Sequence, residues 1–453
     1  MQQVREHWSS KLGFLLAAMG STIGLGLLWK FPYTIAQNGG GLFLVCYFAC
    51  LFLIGIPLFI GEILLGRHSG AAAIGAFEKD GGKGSGWVWG AWLGIAASFL
   101  IMSFYSVVAG WGMSYILMSL NGFYVGKSLG EIGEVYELLS RSGSITMLWH
   151  FLFTAITMAI VVSGVKRGIE YWSKIMVKVL LVLLFSLFLF STTLPGFSKA
   201  AQFIFLPDLA HFSVSSVLEA LGLALMTMSL GQGIMISYGS YLRRGEDVIR
   251  MSMIVAFSVA LVAVLAALTI FPIVFSFDIP TNSGPGLVFK TLPYLFAQLP
   301  GALVLSTLFF VLFVFTALTS AIPLIEVCAT NLMEKLRISR TKAVLCAGIG
   351  TFTFGIPSAL AASKGMFPEW QSIFRCNFLD TINDFSSIWV IPLAGLITSL
   401  FIGWVVDREA MESEFCAGGG ELRGVMFPLW IFSLKYAIPL AIVIIMLQKS
   451  GLI

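Results

Sequence analysis

The chain has 453 residues, of which 58% are hydrophobic and only 11% are charged. This composition lies outside the usual range of soluble enzymes, so most of the surface is expected to face lipid. The net charge of +4 and the four histidines do not indicate a nucleic-acid partner or a histidine-based metal site. Six cysteines are present, mostly within or beside apolar runs, and no disulfide framework is predicted.

Apolar runs of about 20 residues, each long enough to cross roughly 30 Å of hydrocarbon, recur along the whole chain. We name them spans one to eleven; they lie near residues 12–36, 42–65, 88–118, 146–164, 176–197, 215–241, 251–276, 302–329, 342–360, 387–406 and 426–447. No linker or soluble domain separates them, so residues 1–453 are predicted to form one transmembrane domain. The distribution of Lys and Arg predicts a cytoplasmic N-terminus and, with an odd number of spans, an outside C-terminus.

Spans one and six are interrupted by glycine near their middles, at Gly20, Gly24 and Gly26 and at Gly231 and Gly233. These spans take equivalent places in two halves of five helices, and because five is odd, the halves have opposite orientations. The sequence therefore predicts an inverted repeat, with repeat one at about 12–200, repeat two at about 215–406 and an extra helix at about 426–447. The alternative is that the glycines only allow close helix packing.

The two predicted breaks offer backbone groups of opposite polarity. Amide groups at residues 24–26 begin the outer half of span one, and such N–H donors suit a carboxylate. Carbonyl groups of the inner half and of Met226 and Thr227, together with the Ser229 hydroxyl, suit an ammonium group or a cation. An amino-acid zwitterion fits this pair of breaks.

Span eight carries Thr316, Thr319 and Ser320 in the run FVFTALTSAIP. Their hydroxyl and carbonyl oxygens are suitable ligands for a hard cation such as sodium. Alternatively, these hydroxyl groups only bond back to carbonyls of their own helix, as is common in membrane helices.

Several motifs together resemble the neurotransmitter:sodium symporter family. They are REHW at 5–8, GSTIGLGLLWKFPY at 20–33, NGGG at 38–41, GIPLFIGEILLGR at 55–67, FYSVVAGW at 104–111, SLGQG at 229–233, IFPIVFSF at 270–277, GPGLVFKTLP at 284–293, ALTSAI at 317–322 and GIPSAL at 355–360. The resemblance implies an all-α polytopic fold with eleven transmembrane helices in a five-plus-five inverted repeat. It also implies sodium-coupled transport of a small amino acid by alternating access, and no enzymatic activity.

By position in these motifs, the resemblance implies a substrate site between spans one, three, six and eight. Gly24 stands where monoamine carriers of the family have an aspartate, which favours a substrate with its own carboxylate. Tyr105 with the amides of Leu25 and Gly26 would bind that carboxylate. The full implied set is Thr22, Leu25, Gly26, Ile101, Tyr105, Met226, Thr227, Ser229, Gln232, Ser320 and Leu324.

The resemblance also implies two sodium sites. This sequence has all the implied ligand residues of the second site but not those of the first. The implied ligands of the second site are Gly20, Ile23, Thr316, Thr319 and Ser320. At the first site, Leu27 and Ser258 replace two asparagines of the family, and leucine cannot coordinate a cation. One sodium ion, at the second site, is therefore the predicted cofactor.

Gln232 replaces an apolar residue of the family's side-chain pocket, and Met226 replaces its aromatic lid. A buried amide needs a hydrogen-bonding partner. Two interpretations remain open: the substrate side chain is polar, or the Gln232 amide bonds to unwound backbone.

The family's gates match partly. Arg5 and Glu334 correspond to an inner pair. Lys30 takes the place of the outer arginine, with Asp384 as its possible partner; alternatively, Lys30 extends toward the membrane surface.

Glu219 and Glu326 are candidates for proton coupling. The leading hypothesis is a sodium symporter in a bacterial inner membrane; the alternatives are a proton-coupled or uncoupled carrier of the same fold and a non-transporting sensor.

Overall fold

The computed structural model describes residues 6–207, 212–277, 286–363, 366–420 and 422–450, and these residues are almost entirely helical. Within them, nine helices are long and apolar enough to cross a membrane without interruption. They form spans two to five and seven to eleven: Gly41–Ser69, Val88–Leu120, Gly143–Val162, Val165–Ser191, Val248–Ser276, Ala302–Leu336, Arg340–Ala359, Phe378–Trp404 and Leu422–Lys449.

Spans one and six are each broken into two helical halves. Span one consists of Lys11–Thr22 followed by a π-helical turn at Gly26–Lys30 that continues as Phe31–Gln37. Span six consists of Val214–Thr227 and Ile234–Gly239. The predicted eleven spans and both breaks are confirmed, and spans one to five and six to ten form the two halves of the inverted repeat.

Shorter helices cover the connections between spans. The helix Leu129–Arg141 begins with a capping box, in which the Ser128 hydroxyl and the Glu131 carboxylate satisfy free amide groups of the first turn. The other short helices are Ala73–Gly81, Phe197–Phe205, Leu287–Ala297, Trp370–Phe374 and Arg408–Cys416.

Two spans begin well before the apolar runs that predicted them. Span five begins at Val165 rather than near 176, and span ten begins at Phe378 rather than near 387. Both added segments carry polar residues that face protein: Glu170 accepts hydrogen bonds from the N-terminal segment, and Asp380 and Asp384 line an internal cavity. A hydropathy average ends a predicted span at such polar residues, because it does not register whether a side chain faces protein or lipid.

Spans three and eight form the scaffold around which the broken spans are arranged. They pack against each other along their lengths, and span eight also contacts spans four, five and nine. The inner half of span one contacts spans five and eight, while the second half of span six packs against span two. Many large apolar side chains remain exposed on the outer surfaces of the helices, as expected for a surface in contact with lipid.

Candidate functional site

The break in span one is a sharp departure from helical geometry after Thr22. Ile23 has φ −86° and ψ 71°, and the helix resumes at Leu25. A Cβ atom on Gly24 would lie 2.8 Å from the Ser320 hydroxyl of span eight. Glycine at this position therefore lets the unwound backbone approach span eight closely.

The break in span six requires left-handed backbone at three residues. Ser229, Gly231 and Gly233 have φ values of 53°, 67° and 69°. The Gly231 amide donates a 2.8 Å hydrogen bond to a carboxylate oxygen of Glu62, a buried residue of span two. A Cβ atom on Gly231 would lie 2.3 Å from the Ile391 carbonyl oxygen of span ten, so the unwound backbone is held between spans two and ten.

A pair of serines joins the two breaks. The Ser21 hydroxyl lies 3.1 Å from the Ser229 hydroxyl, which also lies 3.0 Å from the Ser21 carbonyl oxygen. Both side chains are buried. The unwound stretches of the two repeats therefore meet directly in the middle of the molecule.

A cavity of about 320 Å³ opens beside this junction, large enough for a small organic solute. Its walls come from spans one, three, six, eight and ten. All residues that the resemblance implied for substrate binding line it: Thr22, Leu25, Gly26, Ile101, Tyr105, Met226, Thr227, Ser229, Gln232, Ser320 and Leu324.

One end of the cavity offers hydrogen-bond donors at a helix start. The Leu25 amide points at the Tyr105 hydroxyl oxygen, 3.4 Å away. A Cβ atom added to Gly26 would lie 3.7 Å from the terminal methyl group of Met226. The Met226 side chain therefore covers the start of this helix. The phenol and the amides at the positive end of a helix dipole together suit an anionic oxygen.

The hydroxyl groups near the predicted amine subsite are already engaged with protein. The Thr22 hydroxyl donates to carbonyl oxygens of its own helix, including that of Ala18 at 3.0 Å. The Thr227 hydroxyl is 2.9 Å from the hydroxyl of Tyr47, and that of Ser229 is bound to Ser21. These hydroxyl groups use their protons within the protein, so an ammonium group in this part of the cavity would bind their oxygen lone pairs or nearby backbone carbonyls.

Four of the residues predicted for the second sodium site are linked to one another by contacts. The Ser320 hydroxyl is 3.3 Å from the Gly20 carbonyl oxygen, which joins span eight to the end of the first helix. The Thr319 hydroxyl donates to the Thr316 carbonyl oxygen at 2.9 Å and the Thr316 hydroxyl to that of Leu312 at 2.8 Å, so both bond back within span eight, as the alternative interpretation expected, while their oxygen lone pairs stay available to a cation. Ile23, the fifth predicted ligand, is fully buried at the break itself. Buried carbonyl and hydroxyl oxygens from two helices fit a hard cation.

The first sodium site has lost the side chains it would need. Leu27 is fully buried and presents hydrocarbon to the cavity. Of the side chains implied for this site, only those of Ser258 and Thr227 still offer oxygen; their hydroxyls bond to the Ile254 carbonyl at 2.8 Å and to the Tyr47 hydroxyl. This donor set does not fit a sodium ion.

The outer gate candidates line the same cavity without touching each other. Within the described residues, Lys30 forms no ion pair, and its ammonium nitrogen lies 3.8 Å from the Met226 sulfur. Asp384 also lines the cavity, where the Asn383 amide contacts its carboxylate. Of the inner pair, Glu334 accepts the Ala72 amide at 2.9 Å, while Arg5 lies outside the described residues.

Both candidates for proton coupling have cationic partners. Glu326 is fully buried, with Arg340 at 2.5 Å and the Tyr241 hydroxyl at 2.6 Å. Glu219 is paired with Lys449 at 3.3 Å.

Sequence reasoning missed several residues that position the site, namely Ser21, Tyr47 and Ser98. Ser98 donates to the Gln232 carbonyl oxygen at 2.7 Å. It stands two helical turns before Tyr105, which places both on the same face of span three, and this spacing was a usable signal. The partners of Ser21 and Tyr47 lie about 200 residues away in the chain, and no local pattern points to them.

Comparisons with known proteins agree with this arrangement. The family model described as "Sodium:neurotransmitter symporter family" matches residues 5–128 and 123–450. A sodium-dependent transporter of Bacillus subtilis, YhdH, is 35% identical over 100% of this chain and 99% of its own length. A sodium-dependent transporter of Haemophilus influenzae is 31% identical over 98% of both chains. The crystal structure of MhsT in complex with L-phenylalanine has a TM-score of 0.89 and 36% identity, covering 98% of this chain and 100% of MhsT.

Proposed function

Because this chain belongs to the sodium:neurotransmitter symporter family and is therefore a sodium-dependent transporter, we propose that it carries a small α-amino acid together with one sodium ion. The observation that carries the proposal is the meeting of the two unwound stretches beside one cavity, where the Leu25 amide lies against the Tyr105 hydroxyl. Alternating access of this cavity to the two sides of the membrane would complete the cycle.

An amino acid fits the cavity because the charges of a zwitterion match its backbone groups. The carboxylate would bind the amides of Leu25 and Gly26 and the Tyr105 hydroxyl, and the ammonium group would bind carbonyls near Met226. Because residue 24 is a glycine, no acidic side chain at this position repels the substrate carboxylate or takes its binding groups. MhsT, which is similar over its whole length, is described in complex with L-phenylalanine, and this supports an amino acid as substrate.

The single sodium ion would lie at the second site, between the first break and span eight. The contact of the Ser320 hydroxyl with the Gly20 carbonyl, and the packing of Thr319 against Gly20, bring suitable oxygens of the two helices together. Leu27 and Ser258 leave the first site without adequate ligands, because a cation at membrane depth needs oxygen ligands to replace its water.

The proposed location is the plasma membrane of a prokaryotic cell, with the N-terminus inside and the C-terminus outside. The concentration of Lys and Arg in the predicted inner segments supports this orientation. Cysteine-accessibility labelling of a residue added at each terminus tests it, and the C-terminal residue is expected to react with impermeant reagents from outside.

Sodium coupling is tested by uptake of radiolabelled amino acids into proteoliposomes. Uptake is expected to collapse when external sodium is replaced by choline and to proceed in sodium without a pH gradient. Its dependence on sodium concentration should have a Hill coefficient near one. Full uptake in choline, driven instead by a pH gradient, would establish the proton-coupled alternative.

Removing the Tyr105 hydroxyl is expected to weaken substrate binding. A hydrogen bond to a charged group contributes about 1.5–3 kcal/mol, so Tyr105→Phe should lower apparent affinity roughly ten- to hundredfold. Tyr124→Phe is the matched control, because that hydroxyl bonds to the Ala302 carbonyl away from the cavity. Unchanged affinity in Tyr105→Phe would exclude this tyrosine from carboxylate binding.

A further inference from the structure

The cavity contains one side-chain amide that the protein leaves without a partner. Gln232 lines the cavity and is only 6% exposed. Among the residues that the structure describes, none forms a hydrogen bond with its side-chain amide, although the amide offers two donors and an acceptor. A buried amide of this kind normally has a hydrogen-bonding partner.

The backbone around Gln232 is held by other groups and does not use this amide. Its carbonyl oxygen accepts the Ser98 hydroxyl at 2.7 Å. The preceding Gly231 amide is bound by Glu62, and the following Gly233 packs closely on Gly94 of span three. Of the two interpretations open from the sequence, bonding to unwound backbone is not supported, because no hydrogen bond joins the Gln232 side-chain amide to the backbone of the described residues.

The surroundings of Gln232 indicate a neutral partner. The charged residues among the cavity walls are Lys30, Asp380 and Asp384. Gly231 contacts span ten at Ile391, which is seven residues, or about 10 Å, along the helix from Asp384. Asp384 thus lies roughly two turns away from the Gln232 level, and the nearer Glu62 carboxylate binds the Gly231 amide and is not among the cavity walls.

Along the axis of span three, Gln232 is also separated from the subsite proposed for the substrate carboxylate. Span three contacts Gln232 through Ser98 and the Leu25 amide through Tyr105, and these positions are about 10 Å apart along the helix axis. A substrate held at the Tyr105 end would direct a long side chain toward Gln232. Ile101, Met226 and Leu324 supply apolar wall between the two polar ends.

We infer that Gln232 selects amino acids whose neutral side chain ends in a hydrogen-bonding group, an amide or a phenolic hydroxyl. This inference rests on the proposed function and specifies its substrate class. An apolar side chain of the same length would fill the cavity but would strip the Gln232 amide of water without replacing its hydrogen bonds, which is unfavourable.

Two pairs of amino acids matched in size test the inference: glutamine against methionine, and tyrosine against phenylalanine. Apparent affinities are read from the concentration dependence of thermal stabilisation of the purified protein in sodium. The polar member of at least one pair is expected to bind about three- to tenfold more tightly. Gln232→Met, which keeps the length but removes the amide, is expected to abolish that preference.

Asn383→Leu is the matched control. It removes a side-chain amide from another part of the same cavity wall and is expected to leave the polar-to-apolar ratio as in the wild type. Loss of the ratio in this variant as well would overturn the assignment to Gln232. The comparison of the two pairs in wild-type protein does not depend on either variant folding.

The outcomes separate this inference from the function on which it rests. If amino acids bind but the apolar member of both pairs binds at least as tightly as the polar one, the inference about Gln232 is wrong while amino-acid binding stands. A preference that survives Gln232→Met also contradicts it. If none of the twenty common amino acids stabilises the wild-type protein or is taken up with sodium, the proposed function itself fails.

Discussion

Gly231→Ala is expected to abolish transport and to prevent much of the protein from folding. The new Cβ atom would lie 2.3 Å from the Ile391 carbonyl oxygen, and backbone cannot move aside as a flexible side chain can. Alanine is also unfavourable at a φ of 67°, by roughly 1–2 kcal/mol. The measurements are uptake per mole of protein and the thermal unfolding temperature in detergent.

Gly222→Ala supplies the comparison within the same span. Gly222 lies inside the first helical half of span six, and its added Cβ atom would meet nothing within 4 Å. Alanine is favoured over glycine in a helix by about 1 kcal/mol, so this variant should fold at least as well as the wild type. Normal uptake by Gly231→Ala would mean that the second break is not built as described.

Thr319→Val is expected to lower the apparent affinity for sodium by at least about tenfold. Valine has nearly the same shape as threonine but lacks the hydroxyl, so an ion at the second site would lose one of its oxygens and remain partly desolvated. Sodium-dependent thermal stabilisation without substrate reads this affinity directly, and the sodium concentration needed for half-maximal uptake should rise in parallel.

Thr330→Val controls for the loss of a buried hydroxyl from the same helix. The Thr330 hydroxyl bonds back to the Glu326 carbonyl at 2.8 Å, away from the first break. Its replacement should leave sodium affinity as in the wild type. Equal effects of the two substitutions, or none from Thr319→Val, would remove span eight from the proposed sodium site.

The sequence predicted the site better than it predicted the ends of the helices. Glycines that interrupt apolar runs mark where a membrane helix unwinds, and residues near Gly24 and Gly231 therefore pointed to the cavity. The resemblance then supplied positions on spans three and eight, such as Tyr105 and Ser320, which line the same cavity. Their roles in binding remain predictions.

What the sequence could not predict depends on direction and on distant partners. The first turns of span ten carry Asp380 and Asp384, which face the cavity rather than lipid. A hydropathy window averages over all faces of a helix, and the predicted start of this span therefore fell too late along the chain. The pairing of Ser21 with Ser229 joins residues 208 positions apart, and only the folded arrangement of the two repeats brings them together.

Leu27 in the cavity wall has a bioenergetic consequence. With the proposed single sodium ion and a zwitterion of zero net charge, each turnover would move a single positive charge across the membrane. A potential of 100 mV then contributes about 2.3 kcal/mol per cycle, enough for roughly fiftyfold accumulation of solute. A carrier with two ions would reach the square of that electrical factor. Under the proposed stoichiometry, hydrocarbon at this position would set a lower limit on accumulation and would halve the number of ions moved with each molecule imported.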